Sequence, residues 1–253
     1  MNWLSYINLT FSELIIIIFI VLFASIIRGF NGFGFSATCI SLISFILPAI
    51  EIVPIILILE VMVSIFMFPY IWNNIDWKFV FQILIGISIG SPVGLYLLKF
   101  LSPNITHLSI CIIIIFFVIL QLKGYFNKKI NIFPVKFLVG GVSGIINGLG
   151  TLGGMPISLF LLITKVKPII IRGSLAAIFF IADAYVLNLS FFAGIVEPIV
   201  FYRALPLILV LPIGIFIGNK FFIKSREETY RKFVFYFLII ISIFGILSVF
   251  NTI

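Results

Sequence analysis

The stretch Arg28-Gly-Phe-Asn-Gly-Phe-Gly34 decides how this sequence is read, because Gly144-Ile-Ile-Asn-Gly-Leu-Gly150 repeats its pattern 116 residues later. Both contain Asn-Gly-x-Gly. Glycine accepts positive φ and lets other groups approach the backbone, so two such clusters inside apolar sequence mark places where a helix is interrupted. Farther along each half, Pro92-Val-Gly94 and Pro212-Ile-Gly214 match at a spacing of 120. The chain therefore reads as two related halves, 12–123 and 135–251, within a single transmembrane domain, 1–253.

Composition says what surrounds these breaks. The 253 residues are 63% hydrophobic and 9% charged, whereas a water-facing surface needs roughly a quarter charged residues. The solvent is lipid. Charged, Pro and Gly punctuation gives ten apolar segments, at 13–30, 35–48, 52–71, 79–98, 105–122, 136–149, 152–164, 168–192, 199–221 and 233–250. None leaves room for a soluble domain. The first run has no basic residues before it and no small-residue cleavage site after it, so it is expected to be retained as a span. Cys39 and Cys111 both lie in apolar segments and suggest neither a disulfide framework nor a metal cluster.

The net charge of +8 raises nucleic acid as a partner, but the basic residues fall in short connections between segments, where the positive-inside rule accounts for them. If the Lys123–Lys136 connection is cytoplasmic, alternate threading also puts Lys78, Lys165, Lys167, Arg172, Lys220, Lys224, Arg226, Arg231 and Lys232 inside. With Arg28 this makes fourteen of the sixteen basic residues. Only Lys99 and Arg203 fall outside, and both termini are predicted to face away from the cytoplasm.

Five segments per half is an odd number of crossings, so the second half enters the membrane from the opposite side, as in the inverted repeats of secondary transporters. Segments 2, 6 and 7 carry only about 12 to 14 apolar residues, roughly 20 Å of helix, short of a full crossing. The expected fold is all-α and integral to the membrane, with about ten hydrophobic segments in two inverted-topology repeats of five and short broken or re-entrant helix pairs 1–2 and 6–7. Irregular backbone at depth is tolerated where it lines a cavity, and a short helix starting there turns its free N–H groups and positive dipole end toward that cavity. The implied ligand is a small anion, and the predicted binding residues are Arg28, Asn31, Gly32, Gly34, Asn147, Gly148, Gly150, Thr151, Gly153, Gly154 and Arg172. Gly86, Gly90 and Gly94, four apart on one face, read instead as helix-packing contacts. Phe33 and Phe35 read as lipid or core contacts.

At these residues the chain resembles the TauE/SafE sulfite exporter family, whose halves carry an Arg-Gly-Phe-x-Gly-Phe-Gly stretch and a Gly-rich stretch ending in Gly-Gly-Pro-Pro. Arg28 to Gly34 and Gly140 to Pro156 match those motifs, Leu47-Pro48 suits the proline-bearing end of segment 2, and the length and duplication fit the whole chain. It departs from the pattern at Phe35, often glycine in the family, and at Met155, where the first proline of the pair is expected. The resemblance implies transport of sulfite, organosulfonates or other small organic anions across a bacterial inner membrane, with export and proton coupling.

Ionisable residues within apolar segments are costly and so mark function. Arg28, at the tip of the first pair, either grips the anion with its planar fork of donors or is an ordinary loop residue. Arg172 either closes the cytoplasmic side of the site or anchors at the interface. Glu60 and Asp183 lie near the middles of segments 3 and 8; they are candidates for proton coupling, the alternative being pairing with a buried arginine or structural hydrogen bonds. His107 reads as interfacial. The nucleophile-elbow pattern Gly86-Ile-Ser88-Ile-Gly90 lacks its strand-turn-helix context and a positioned histidine, and no cofactor or metal fingerprint is present. Besides a small-anion transporter, a translocator of lipid-linked phosphates and a membrane enzyme without a recognised motif remain open.

Overall fold

A computed structural model of the chain describes residues 7–102, 133–163 and 166–226, together with single positions between 105 and 116 and between 228 and 240. The segments expected at 105–122 and 233–250 lie largely outside the described residues. So do Cys111, His107, the connection 123–132, Lys165, Arg231 and Lys232.

Every regular element among the described residues is helical: α1 (Phe11–Asn31), α2 (Phe35–Ile43), α3 (Ala49–Ile71), a 3₁₀ turn (Trp72–Asn74), α4 (Trp77–Phe100), α5 (Phe133–Gly150), α6 (Gly154–Ile163), α7 (Pro168–Phe192), α8 (Pro198–Ile208) and α9 (Leu211–Lys224). Five helices, α1, α3, α4, α5 and α7, are long and apolar enough to cross a membrane, and the bent pair α8–α9 would make a sixth if taken as one span. The chain is a multi-pass membrane protein. α1 starts at a capping box in which the Thr10 hydroxyl accepts the Glu13 N–H while Glu13 accepts the Thr10 N–H, which satisfies two free donors at the helix start.

Both Asn-Gly-x-Gly clusters end a long helix and lead into a short one, α2 with nine residues and α6 with ten. Each short helix doubles back. The end of α2 (Ile43) and Leu47 share a small cavity with Leu9, Leu14 and Ile17 at the start of α1. Phe160, late in α6, stacks on Phe79 with ring centroids 6.0 Å apart, and Lys136 at the start of α5 reaches that same ring and bonds Gln82. The first hairpin opens beside the start of α3, at Ile52 and Ile55. The second opens beside the start of α4, one full helix length away. The two hairpins thus enter from opposite ends.

Two expectations need correction. Segment 6 is not a half-length helix: the Lys136 amine folds onto Gln82 Oε1 at 2.8 Å, so α5 continues back past this charge to Phe133. Segment 9 is not continuous. Pro212, which has no N–H to give the preceding turn, sits in the first turn of α9, and the chain bends by 48° between α8 and α9.

Helix packing crosses between the halves. α4 lies on α5 with Gly86, Gly90 and Gly94 directly against the backbone of Phe137, Gly141 and Ile145, so the packing reading of these glycines holds. α9 lies on α1 in the same way, Gly214 against Ser25 and Leu22, Gly218 against Ile26, and Gly29 against Ile215. α3 packs on α7 between them. Each hairpin is therefore clamped by a helix from the other half of the chain.

Candidate functional site

The tips of the two hairpins meet. A small cavity, with room for about one water, is lined by Phe33, Gly34, Ser36 and Ala37 from the first hairpin, Thr151, Leu152, Gly154 and Met155 from the second, Glu60 from α3 and Phe179 from α7. Gly34 and Thr151 are both in left-handed conformations, φ 94° and 56°. For glycine this costs nothing, but a β-branched threonine stores strain there, a pattern that accompanies functional constraint.

At the first tip Arg28 is fully buried, which excludes the loop reading. Its Nη1 donates to the Gly32 carbonyl at 2.5 Å and its Nη2 to Ser64 Oγ at 3.1 Å. Nη2 also lies 3.3 Å from Glu60 Oε2, and the guanidinium stacks 4.3 Å over the Phe179 ring. Glu60 Oε1 accepts the Ser36 N–H at 3.3 Å, in the first turn of α2, and also the Ser36 hydroxyl. Glu60 is therefore paired with a buried arginine and hydrogen-bonded to the start of α2. Arg28 is not part of the cavity wall; Glu60 and Phe179 are.

The second tip is held by amide chemistry. Asn147 Nδ2 donates to Asp183 Oδ1 at 2.8 Å while Asn147 Oδ1 accepts the Gly153 N–H at 3.3 Å, and Ser143 donates to the Gly153 carbonyl. Asp183 Oδ2 and both side-chain polar atoms of Asn31 have no hydrogen-bond partner among the described residues, a costly condition for buried groups.

Of the remaining expected site residues, Gly32 has φ 81° and backs onto Arg172, so that a Cβ added there would lie 2.8 Å from the Arg172 Cα. Arg172 is buried rather than anchored at an interface: Nη2 donates to Asn219 Oδ1 at 2.8 Å and the guanidinium covers Phe222 at 4.5 Å. Gly148 faces away from the tips, against Ser91 and Leu95 of α4, and Gly153 fits against Asn147 and Ser143. Gly150 carries the carbonyl that accepts the Thr151 hydroxyl. Phe35 is core, whereas Phe33 lines the cavity. Ser88 donates to Ile85 within α4, in helical context and not a nucleophile elbow.

The sequence reading missed Ser36, Ser64, Phe179, Asn219 and Tyr230, whose hydroxyl donates to the Asn31 carbonyl at 2.8 Å. Ser64 stands one turn after Glu60 and was the one with a legible signal, since it shares a helix face with a buried carboxylate.

Fold and site together define a polytopic membrane protein with two helical hairpins converging from opposite ends on a buried, ionisable centre. Residues 17–245 match the model of the sulfite exporter TauE/SafE family, and the chain belongs to that family. The family is one of membrane transporters for sulfite or related anions. No curated protein and no solved structure matches the chain.

Proposed function

We propose that this protein is a secondary transporter, in the exporting direction, of a small anion such as sulfite, an organosulfonate or a small carboxylate. The halves 12–123 and 135–251 act as inverted repeats that rock about the cavity and expose it alternately to the two sides of a bacterial inner membrane. One observation carries the reading: two short helices, entering from opposite ends, begin at a shared cavity. Their free N–H groups and positive dipole ends favour an anion at that point. The crossed packing of α4 on α5 and α9 on α1 supports the repeat relation, because it treats the two halves equivalently. Lys99 and Arg203 both lie at the end where α3 starts, Arg203 bonded to Glu51 and Ile7, Lys99 to Ala193; this end is assigned to the non-cytoplasmic side.

Glu60 and Asp183, the buried carboxylates at the two tips, are the candidates for proton coupling. Arg28, Gly32, Gly34, Asn147, Thr151 and Gly154 form or hold the site, while Asn31 and Arg172 sit one layer beyond it. The test is release of loaded methanesulfonate or sulfite from liposomes containing the purified protein with an acidic interior. Arg28→Ala is expected to abolish release, and unimpaired release by that variant refutes the site.

A further inference from the structure

Glu60 already occupies an anion site. One oxygen accepts a helix N-terminal N–H and a hydroxyl, both from Ser36, and the other lies against the Arg28 guanidinium. Backbone N–H, hydroxyl and guanidinium together are the donor set that recognises an oxyanion. Glu60 is also on the cavity wall, and Arg28 is behind it. An anion entering between the hairpin tips meets a carboxylate before it meets a cation.

We propose that the Glu60 carboxylate is an internal stand-in for the transported oxyanion, which takes its place at Ser36 and Arg28 only as Glu60 takes up a proton. This rests on the anion-transport reading above and adds the sign and stoichiometry of its coupling. The charge count supplies the reason. Arg28 with ionised Glu60 is neutral, and a singly charged anion added alone would leave one uncompensated charge in a site shut off from water, which is strongly unfavourable. Anion plus proton restores neutrality: Arg28 pairs with the anion, and Glu60 is left as a neutral acid. The proton enters with the anion and leaves with it, so the step is an electroneutral symport of one proton per anion.

The ionisable groups around Glu60 are Arg28 on α1, Cys39 on α2 and Asp183 on α7. Arg203 on α8 meets α3 at Glu51 instead, and the buried face of α9 carries no ionisable side chain. Asp183 is thus the competing proton acceptor, and the experiment must separate the two.

Methanesulfonate is the probe, because its charge does not change near neutrality. Calorimetric titration of the purified wild type, in buffers of different ionisation heat, is expected to show about one proton taken up per anion, with affinity rising as pH falls by up to about tenfold per unit. Glu60→Gln is expected to bind without pH dependence, at least as tightly as the wild type at its most acidic. In liposomes, wild-type flux should follow a pH difference and ignore a valinomycin-imposed potassium potential. A wild-type affinity flat with pH, potential-driven flux, or a Glu60→Gln variant that keeps the wild-type slope overturns the inference while leaving anion transport intact. If Glu60→Gln does not fold, the wild-type proton count and its response to potential decide the matter. Absence of methanesulfonate binding at every pH removes the transport reading and this inference together.

Discussion

Gly140 and Gly141 are neighbours on α5, yet alanine should have opposite effects at the two positions. A Cβ at Gly140 would fall on the Ile83 carbonyl oxygen of α4, with Ile83 C at 3.1 Å and Gly86 Cα at 3.2 Å; at Gly141 the nearest atom is the Gly86 carbonyl oxygen at 4.0 Å. Both substitutions gain the same intrinsic helix preference, about 1 kcal/mol. Only the first forces two backbones apart, at about 1–3 kcal/mol for overpacking. Gly141→Ala should therefore be neutral to about 1 kcal/mol more stable, and Gly140→Ala up to about 2 kcal/mol less stable. For a chain of this length each kcal/mol moves a melting midpoint by about 2–4 °C, so the gap between the variants should reach several degrees. Detergent-solubilised protein heated and assayed by size-exclusion chromatography gives the two midpoints directly. Equal midpoints, or Gly140→Ala the higher, would refute the claim that these helices meet backbone to backbone.

Arg28→Ala leaves Glu60 as an unpaired buried charge and should cost about 3–5 kcal/mol, much of it recovered in the Arg28→Ala/Glu60→Gln double variant; a double-mutant cycle on melting midpoints tests this, and additivity of the single effects would contradict the ion pair. Thr151→Gly removes the left-handed strain of a β-branched residue, about 1–2 kcal/mol, at the loss of a hydroxyl on the cavity wall. The expected result is a higher melting midpoint with slower anion flux. Asp183→Leu leaves Asn147 Nδ2 without its acceptor and should lower stability by about 1–3 kcal/mol, whereas Asp183→Asn, which keeps an oxygen in place, should stay within about 1 kcal/mol of wild type in the same melt.

Much of the architecture was legible because lipid imposes simple constraints. Apolar runs without charge become helices, and the Asn-Gly-x-Gly clusters marked where two of them end. What the sequence hid were the places where a polar group finds a distant partner. Lys136 looks like the edge of a segment until Gln82, on a different helix, takes its amine. Arg172 looks like an interfacial anchor until Asn219 and Phe222 close over it. Glu60 and Arg28 were each recognisable as buried charges, but their pairing depends on how α1 sits against α3. Phe179 had no signal at all: one phenylalanine among thirty-one becomes the floor under a guanidinium only through the crossing of α7 over the first tip.

The crossed clamps also set an order of assembly. α4 and α5 occupy the middle of the chain and can close on one another soon after both have been synthesised. α1 must wait for α9, the last of the continuously described helices, with the small-residue face around Ser25 and Gly29 uncovered until then. Such a long sequence separation makes this contact slow to form. The arginine of the first tip is thus inserted long before the helix that seals its hairpin, and a chain halted before residue 211 would hold a complete second clamp and an open first one.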